Sequence, residues 1–328
     1  MGIIVKKAGW QTMVMDQGRK NTRHLGVPSS GVTDLFQYWW ANGLVHHFDF
    51  KGAGPAVLEV GTGPVEFVFD QPHVFAMTGS AGEYYLDDQK IPSHTTLHAK
   101  SQQILRIEKI ARNGTIYLAI RGKWRVNRVY ESASADVLSP FSGSAGNRLK
   151  DQDRIIIDQV GQMELSTVKT PDYLKPAKSS GPHTIRITAG AELHQCDQIK
   201  HALSEESFGI SRNSSRMGYR LTTNQEYNHT MTSMVSSIVL PGMIQWPSGG
   251  EPILLLPNCQ TTGGYPRVAK IIDADLWKLA YLGPGDHLEF KWTTREEAIY
   301  LRKYKTQQFT RFWNKLFPEN IKNHSLTY

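Results

Sequence analysis

The sequence predicts a mainly β protein, and three observations lead to that prediction. Short runs of β-branched and aromatic residues recur along most of the chain, each bounded by Gly, Pro or Asp. Amphipathic helical periodicity is confined to a few segments. The length of 328 residues is about twice that of an ordinary domain of roughly 100–200 residues. We therefore expect two β-rich domains, built as barrels or sandwiches, each burying its own core.

The strand predictions rest on segments of four to seven residues that share this composition. They are Val65–Phe69, His73–Met77, Gln103–Ile107, Thr115–Ile120, Thr184–Thr188, Met234–Leu240 and Ile253–Leu256. The Pro-, Ser- and Gly-rich stretch within 167–182 reads as a linker, because strand-like periodicity resumes directly after it. The predicted domains are an N-terminal barrel over 1–166, a C-terminal barrel over 183–292 and a helical extension over 293–328.

Helices are predicted at three places. Thr33–Val45 follows a possible cap at Thr33, and Asp273–Leu282 precedes a Gly-Pro stop. The third begins at a capping box over Thr294–Glu297 and carries a stripe of large apolar residues at helical spacing. That stripe consists of Phe309, Phe312, Trp313, Leu316 and Phe317. We expect it to cover a barrel, the alternative being a surface for a partner.

Composition excludes several classes of protein. No apolar run approaches the roughly 20 residues that span a bilayer, and the first ten residues lack a signal-peptide core, so we expect a cytoplasmic protein without a membrane association. Cys196 and Cys259 are too few for a disulfide framework. The net charge of +7 is spread along the chain without a recognised motif, so we do not expect nucleic-acid binding.

Common motifs for nucleotides, metals and nucleophiles are missing from the sequence. There is no phosphate-binding Gly-x-x-x-x-Gly-Lys-Ser/Thr run, and Gly61-Thr62-Gly63 lacks the third glycine of a dinucleotide fingerprint. His94 and His98 have the spacing of some zinc ligands but no accompanying cysteines, so no metal is predicted. Ser144 lies in a Gly-Ser-Ala-Gly turn that fails the spacing of a nucleophile elbow.

Functional groups instead concentrate on three polar, glycine-containing segments, the first of which is Asp16–Asp34. His24 titrates near neutral pH and Asp34 is a carboxylate, so the two could act as general base and acid. Asp34 could equally favour the dipole of the predicted helix, and His24 could be a hydrogen-bonded turn residue. Both interpretations stay open at this stage.

The second and third segments are Ser211–Leu221 and Pro241–Arg267. In the second, Arg216 and Arg220 offer forked guanidinium groups that match carboxylate or phosphate geometry, whereas Arg212 reads as a solvated surface residue. The third ends in Gln-Thr-Thr-Gly-Gly-Tyr-Pro-Arg, where adjacent glycines let backbone N–H groups converge on an oxyanion. A structural turn alone needs neither the glutamine nor the arginine of that run.

These segments together resemble a family named after the C-type subunit of 5-oxoprolinase. The family is also described as the biotin-dependent carboxyltransferase or allophanate hydrolase subunit 2 family, and it includes Kip-type kinase-inhibitor antagonists. The resemblance is collinear over residues 8–292 and rests on five runs: Asp16–Arg19, Arg23–Ser30, Arg216–Arg220, Gly242–Pro252 and Gln260–Arg267. The last is the most specific. The chain departs from the usual pattern at Gln17, Asn258 and Cys259.

The resemblance implies two cyclophilin-like β-barrel domains and a hetero-oligomer with the A-type and B-type subunits of 5-oxoprolinase. It implies an enzyme that opens a cyclic amide, 5-oxo-L-proline, to L-glutamate with ATP used by the complex. Alternatives within the family are a biotin-dependent carboxyltransferase acting on urea or a similar small amide, and a non-catalytic antagonist of a kinase-inhibitor protein. The chain has no Ala-Met-Lys-Met motif, so covalent biotin is not expected on it.

Under the leading hypothesis the site residues fall into two groups. The predicted catalytic residues are His24, Asp34, Gln260, Thr261 and Thr262. The predicted substrate-binding residues are Ser29, Ser30, Arg216, Tyr219, Arg220, Gln245, Gly263, Gly264, Tyr265 and Arg267. In this scheme the arginines hold a carboxylate or a phosphorylated intermediate, while the Gln-Thr-Thr-Gly-Gly donors stabilise negative oxygen.

Overall fold

A computed structural model describes residues 2–136, 148–161, 167–171, 175–176, 182–195, 197–225, 227, 234–248 and 250–317. Ser144, Cys196 and parts of the predicted linker lie outside the described residues. The chain divides into two compact units. The first comprises Met1–Lys20, Ser30–Ala177 and Phe312–Tyr328, and the second comprises Asn21–Ser29 and Lys178–Arg311. The short segment Asn21–Ser29 therefore belongs with the C-terminal half, which the sequence did not indicate.

The first unit is built on strands that form two sheets. The strands are β1 (Gly2–Lys7), β2 (Thr12–Met15), β3 (Val57–Val60), β4 (Val65–Phe69), β5 (His73–Gly79), β6 (Gly82–Leu86), β7 (Gln89–Lys90), β8 (Leu97–Ala99), β9 (Ile104–Ile110), β10 (Ile116–Ile120), β11 (Lys123–Trp124) and β12 (Arg154–Asp158). One sheet has the order β11-β12-β1-β4-β9-β6-β7 and the other β2-β3-β10-β5-β8. Apolar residues of both sheets, such as Phe67 and Leu118, meet in one buried core.

Helix α1 (Leu35–Leu44) packs beside β5 and β10 of the second sheet. Its N-cap is Asp34, whose side chain accepts from the backbone N–H groups of Phe36 and Gln37, so the predicted cap at Thr33 is wrong by one residue. Every residue from Phe36 to Leu44 is buried, which explains the high apolar content of this helix.

The second unit contains a closed barrel, which confirms the mainly β prediction. Its strands are β13 (His183–Ala189), β14 (Ser207–Ile210), β15 (Gly218–Thr222), β17 (Met243–Gln245), β18 (Ile253–Leu255), β20 (Arg267–Ile271) and β21 (His287–Trp292). The order is β13-β20-β17-β18-β15-β14-β21, closed by a parallel pairing between β13 and β21. Ile187, Phe208, Trp246 and Leu254 are among the buried residues of its core.

A two-stranded ribbon lies apart from the barrel strands. It pairs β16 (Ser237–Ile238) with β19 (Thr262–Gly263), in the register Ser237↔Gly263 and Ile238↔Thr262. The predicted strand Met234–Leu240 is therefore reduced to two residues. Exposed apolar side chains at Val235 and Ile238 explain why composition suggested a longer strand there.

The remaining elements are helical. Helix α2 (Asp197–Glu205), which the sequence analysis missed, packs on β21, and 3-10 turns cover Arg23–Leu25, Leu193–Gln195 and Asp273–Tyr281. The last of these was predicted as a helix. Helix α3 (Arg295–Leu316) begins as predicted, because the Thr294 hydroxyl accepts from the N–H of Glu297 at 3.1 Å. None of the described helices combines the length and apolar character needed to cross a bilayer.

The end of α3 packs on α1 within the first unit. The rings of Trp313 and Trp40 are 5.5 Å apart, and Trp313 and Phe317 are buried. Gly43 permits this contact, since a Cβ there would lie 2.6 Å from the Trp313 ring. Trp313 and Phe317 of the apolar stripe are thus buried against α1 within the first unit, while the covering of a barrel by the stripe stays a prediction.

Candidate functional site

The third polar segment of the sequence supplies strands β17 and β18 and the first residue of β20 in the second unit's barrel. Strands β15, β18, β17 and β20 are neighbours, and Arg220, Ile253, Gln245 and Arg267 stand opposite one another in register. Ile244 and Leu254, one position along, belong to the barrel core. Since successive side chains of a strand alternate between faces, this row, which is polar except at Ile253, lies on the outer face of the barrel wall.

Two glutamine side chains make contact on this outer face. The Gln260 Nε2 donates to Gln245 Oε1 at 3.3 Å, and Gln245 Nε2 donates to the carbonyl oxygen of Tyr265 at 3.1 Å. Gln245 is fully buried. A Cβ at position 263 would lie 2.7 Å from Gln245 Nε2, so glycine is required for the ribbon to approach the amide this closely.

The ribbon lies over these amides and rests on a small apolar cluster formed by Val239, Leu255 and Cys259. The N–H of Val239 donates to the carbonyl oxygen of Thr261 at 3.1 Å, which extends the pairing of the two strands. Ser237 shares a ribbon face with Val239 because it is two residues away. Its hydroxyl oxygen is buried and has no hydrogen-bond partner among the described residues.

Arg23, from the short segment that belongs to the second unit, joins this cluster. One guanidinium nitrogen, Nη2, donates to the backbone carbonyls of Val239 and of Gln260, the latter at 2.8 Å. The other two nitrogens, Nε and Nη1, are buried and have no acceptor within the described part of the chain. We call Arg23, Ser237, Gln245 and Gln260 the amide cluster. The sequence motif that contains Arg23 gives no sign of these contacts.

Cys259 lies beside Arg23, with Sγ 4.0 Å from Nη2. Burial raises the pKa of the Cys259 thiol, and the positive charge of Arg23 opposes that effect only in part. The thiol therefore stays protonated at neutral pH. It fills space in the apolar cluster and offers no nucleophile.

Arg267 pairs with a carboxylate of the second unit, and its substrate-binding role stays a prediction. Its guanidinium donates two hydrogen bonds to Glu192, from Nη2 to Oε1 at 2.6 Å and from Nε to Oε2 at 3.0 Å. The third nitrogen, Nη1, donates to the Ile238 carbonyl oxygen at 2.9 Å. The hydrogen bond from Arg267 lowers the pKa of Glu192. The planar fork that would bind a carboxylate is thus occupied by a carboxylate of the same chain, which fixes the ribbon to the barrel.

The second polar segment supplies one structural residue and two arginines. The Tyr219 hydroxyl lies 2.8 Å and 2.6 Å from the carbonyl oxygens of Leu279 and Leu282, so it holds the end of a 3-10 helix. Arg220 is exposed and lies 3.9 Å from a carboxylate oxygen of Glu251. Arg216 is partly exposed on the turn that precedes β15.

The first polar segment is divided between the units. His24 and Ser29 belong to the second unit, Ser30 and Asp34 to the first. His24 is exposed. Asp34 is 1% exposed and its carboxylate caps α1 at 2.9 and 3.1 Å from two backbone nitrogens. The helix-capping interpretation of Asp34 therefore has direct geometric support, while proton transfer by His24 stays a prediction.

The other predicted residues lie on or near the ribbon. Thr262 is exposed, while Thr261 and Gly264 are partly exposed. Gly264 is confined because a Cβ would lie 2.9 Å from the Met234 carbonyl oxygen. Tyr265 is 40% exposed and contributes its carbonyl oxygen to Gln245. The structure thus brings Gln245, Gln260 and the Thr-Thr-Gly-Gly run together in one place.

A second polar cluster lies in the first unit, around Asp16 of the Asp-Gln-Gly-Arg motif. Its buried carboxylate accepts from the hydroxyls of Ser132 and Ser134, both at 2.6 Å, and from Arg128 Nη1 at 3.3 Å. The backbone N–H groups of Gly18 and Ala133 donate to it at 2.9 and 2.6 Å. We call Asp16, Arg128, Ser132 and Ser134 the aspartate cluster. It fixes the loop that follows β2.

Neither cluster has the composition of a metal site. In the parts of the chain that the structure describes, no group of three or more His, Cys, Asp or Glu side chains could hold a metal ion. The amide cluster instead offers neutral donors and one guanidinium. Such a set can polarise a carbonyl oxygen and bind an anionic group.

The chain belongs to the carboxyltransferase domain family, subdomain A and B, whose family model matches residues 25–292. Among individual relatives, it is similar to the C-type subunit of 5-oxoprolinase from Escherichia coli (strain K12), with 33% identity over 317 residues that cover 96% of this chain and 98% of that protein. The recognised family is thereby confirmed.

Larger proteins contain a similar region. Urea amidolyase of Saccharomyces cerevisiae is 28% identical over 319 residues, which cover 92% of this chain but 17% of that protein. The solved structure of Kluyveromyces lactis urea carboxylase has a TM-score of 0.83 at 23% identity, covering 95% of this chain and 29% of that one. The second comparison supports the fold alone.

Proposed function

We propose that this chain is one component of an ATP-dependent 5-oxoprolinase, an enzyme that converts 5-oxo-L-proline to L-glutamate. The observation that carries the proposal is the end-to-end match with the C-type component of a 5-oxoprolinase, which leaves almost none of either chain unmatched. The urea amidolyase match covers less than a fifth of that protein. The Escherichia coli relative, which this chain matches over nearly the whole length of both proteins, is therefore the better guide to function.

The amide cluster suits the chemistry of a lactam. Ring opening breaks the bond between nitrogen and the carbonyl carbon and adds one water, and negative charge develops on the carbonyl oxygen. Gln260 and the backbone N–H groups of the Thr-Thr-Gly-Gly run are neutral donors of the kind that stabilise such charge. ATP hydrolysis supplies the driving force within the complex, whose other members are the A-type and B-type proteins of 5-oxoprolinase.

The test is reconstitution. The chain is purified with its natural partner proteins, and glutamate formation is measured with and without ATP and 5-oxoproline, alongside the chain alone. We expect glutamate and ADP to appear together, only in the complex and only with both substrates. An intact complex that consumes no 5-oxoproline would reject the proposal.

A second candidate is a carboxyltransferase acting on urea or a similar small amide, favoured by the family model and by the urea amidolyase match. It requires a biotin carried by a partner. A biotin-carrying protein that co-purifies with the chain, together with urea-dependent consumption of bicarbonate and ATP, would favour this function over ring opening.

A further inference from the structure

The amide cluster contains a cation whose hydrogen-bonding capacity is largely unused. A guanidinium has five N–H donors, and in Arg23 only those on Nη2 meet acceptors, the carbonyl oxygens of Val239 and Gln260. Nε and both hydrogens of Nη1 are buried and lack acceptors among the described residues. Leaving charged donors unpaired away from water is costly, so this arrangement indicates that an acceptor binds there.

Two of the arginines predicted to bind substrate are less suited to that role. The fork of Arg267 is occupied by Glu192, at 2.6 and 3.0 Å. Arg220 is exposed near Glu251 and therefore strongly hydrated. Arg23 differs from both because its unused donors are shielded from water and lie next to the Gln260 main chain, where the lactam-activating groups are proposed to act.

The surroundings of Arg23 match a small molecule with an anionic end and a neutral polar end. Ser237 of the ribbon carries a second buried group without a described partner, its Oγ. The side chains of Gln245 and Gln260 pair with each other at 3.3 Å, a long contact that a substrate amide could replace.

We propose that Arg23 binds the carboxylate of the substrate, with the lactam directed toward Gln245, Gln260 and Ser237. This inference rests on the proposed 5-oxoprolinase function and names the residue that selects a carboxylate-bearing lactam. In this proposal Arg23 takes the carboxylate-binding role predicted for Arg267. Arg267 anchors the ribbon through Glu192 and the Ile238 carbonyl.

The experiment compares two ligands that differ only in the carboxylate, 5-oxo-L-proline and 2-pyrrolidinone. Dissociation constants are measured by calorimetry on the assembled complex carrying wild-type chain, Arg23→Gln or Arg23→Lys, and the Michaelis constant for 5-oxoproline is measured in parallel. Arg212→Gln is the matched control, since Arg212 is an exposed arginine of the same unit. Thermal unfolding of each variant confirms that the complex is intact.

We expect Arg23→Gln to weaken 5-oxoproline binding about 10- to 100-fold, the effect of losing charge-assisted hydrogen bonds. Binding of 2-pyrrolidinone is expected to stay within about twofold of wild type, because the neutral lactam makes no use of the guanidinium. Arg23→Lys retains the charge without the fork, so we expect an intermediate loss. Arg212→Gln is expected to match wild type for both ligands.

Other results would overturn the proposal in distinct ways. An equal loss for both ligands would mean that Arg23 acts only by holding the Val239 and Gln260 main chain. Unchanged 5-oxoproline binding in Arg23→Gln would exclude the residue altogether. If the wild-type complex binds 5-oxoproline but does not open it, the enzymatic function fails while the dissociation constants still decide the role of Arg23. If it binds no 5-oxoproline, both proposals fail.

Discussion

The aspartate cluster and the amide cluster both arise from glycine-containing polar motifs, yet they differ in how completely their polar atoms are paired. The Asp16 carboxylate accepts from two hydroxyls, two backbone N–H groups and Arg128. In the amide cluster, Arg23 Nε and Nη1 and Ser237 Oγ lack partners among the described residues. The first arrangement is paired within the chain, and the second keeps unused donors among the described residues.

The difference shows why a polar motif alone does not locate a site. A buried carboxylate surrounded by donors stabilises the loops that supply those donors, and it has little capacity left for a ligand. A buried cation with unused donors lowers stability in the free protein and gains when an acceptor arrives. Mutations in the two clusters should therefore affect different measurements, stability in one case and binding in the other.

The largest effect is expected from Asp16→Ala. The change leaves two buried serine hydroxyls and two backbone N–H groups without their acceptor, and each buried group left unpaired costs about 1–3 kcal/mol. Arg128 is exposed and regains water, so the loss of its ion pair adds little. Urea unfolding of the purified chain measures the loss. Asp88→Asn is the control, because Asp88 is 97% exposed and its contact with Arg106 is an exposed ion pair, for which we expect under about 1 kcal/mol. A loss below about 1 kcal/mol for Asp16→Ala would contradict the interpretation that the aspartate cluster stabilises the loops that supply its donors.

The second-largest effect tests whether the ion pair of Arg267 and Glu192 stabilises the fold, as the fully paired aspartate cluster does. Glu192→Gln should cost about 1.5–3 kcal/mol of unfolding free energy, the range for hydrogen bonds to charged groups. Because the folded pKa of Glu192 is lowered by the hydrogen bond from Arg267, this stability is present above the unfolded pKa and is lost as the pH falls through the folded value. The unfolding free energy of the variant should therefore fall less steeply than that of wild type as the pH is lowered. Denaturant titrations at a series of pH values from neutral to acidic measure the difference. Equal pH profiles would mean that the pair adds nothing.

A smaller effect is expected from Ser134→Ala in the aspartate cluster. The hydroxyl donates to Asp16 Oδ1 at 2.6 Å and accepts from the Asp16 backbone N–H at 2.9 Å, so its removal leaves a carboxylate oxygen and an N–H less well paired. We expect a loss of about 1–3 kcal/mol. Rescue by Ser134→Thr, which keeps the hydroxyl, would support hydrogen bonding as the cause, whereas an equal loss in the threonine variant would indicate packing.

The smallest change is expected from Ser237→Ala, the counterpart in the amide cluster. Removing a buried hydroxyl without a described partner should leave the unfolding free energy within about 0.5 kcal/mol of wild type or raise it slightly. Binding of 5-oxoproline should weaken if the hydroxyl meets the substrate. A loss of stability as large as that of Ser134→Ala would remove the contrast between the two clusters.

Much of the fold follows from local sequence patterns, but the pairing of side chains within the sites does not. Strands such as Val65–Phe69 and the start of α3 at Thr294 were predictable because composition and capping are local. Helix α2 was missed although its apolar residues follow helical spacing, because it is short and only three of its residues are buried. Gln245 and Gln260 were placed in one site because they lie in one segment.

The role of Arg23 and the capture of Arg267 by Glu192 depend on residues far away along the chain. Arg23 meets carbonyl oxygens of the ribbon, and Glu192 comes from the loop after β13. No periodicity or motif records such long-range pairs. The sequence could identify Arg267 as unusual for a turn, but only the fold distinguishes an arginine that holds the protein together from one with donors to spare.

The parallel pairing of β13 with β21 has a consequence for how the second unit is made. Among the strands of this barrel, β13 is the first to leave the ribosome and its partner β21 is the last. Until residues 287–292 emerge, the nascent sheet has two unpaired edges, which are templates for association with other chains. The unfinished second unit is therefore prone to associate with other chains during that interval, and the late arrival of β21 removes both exposed edges at once.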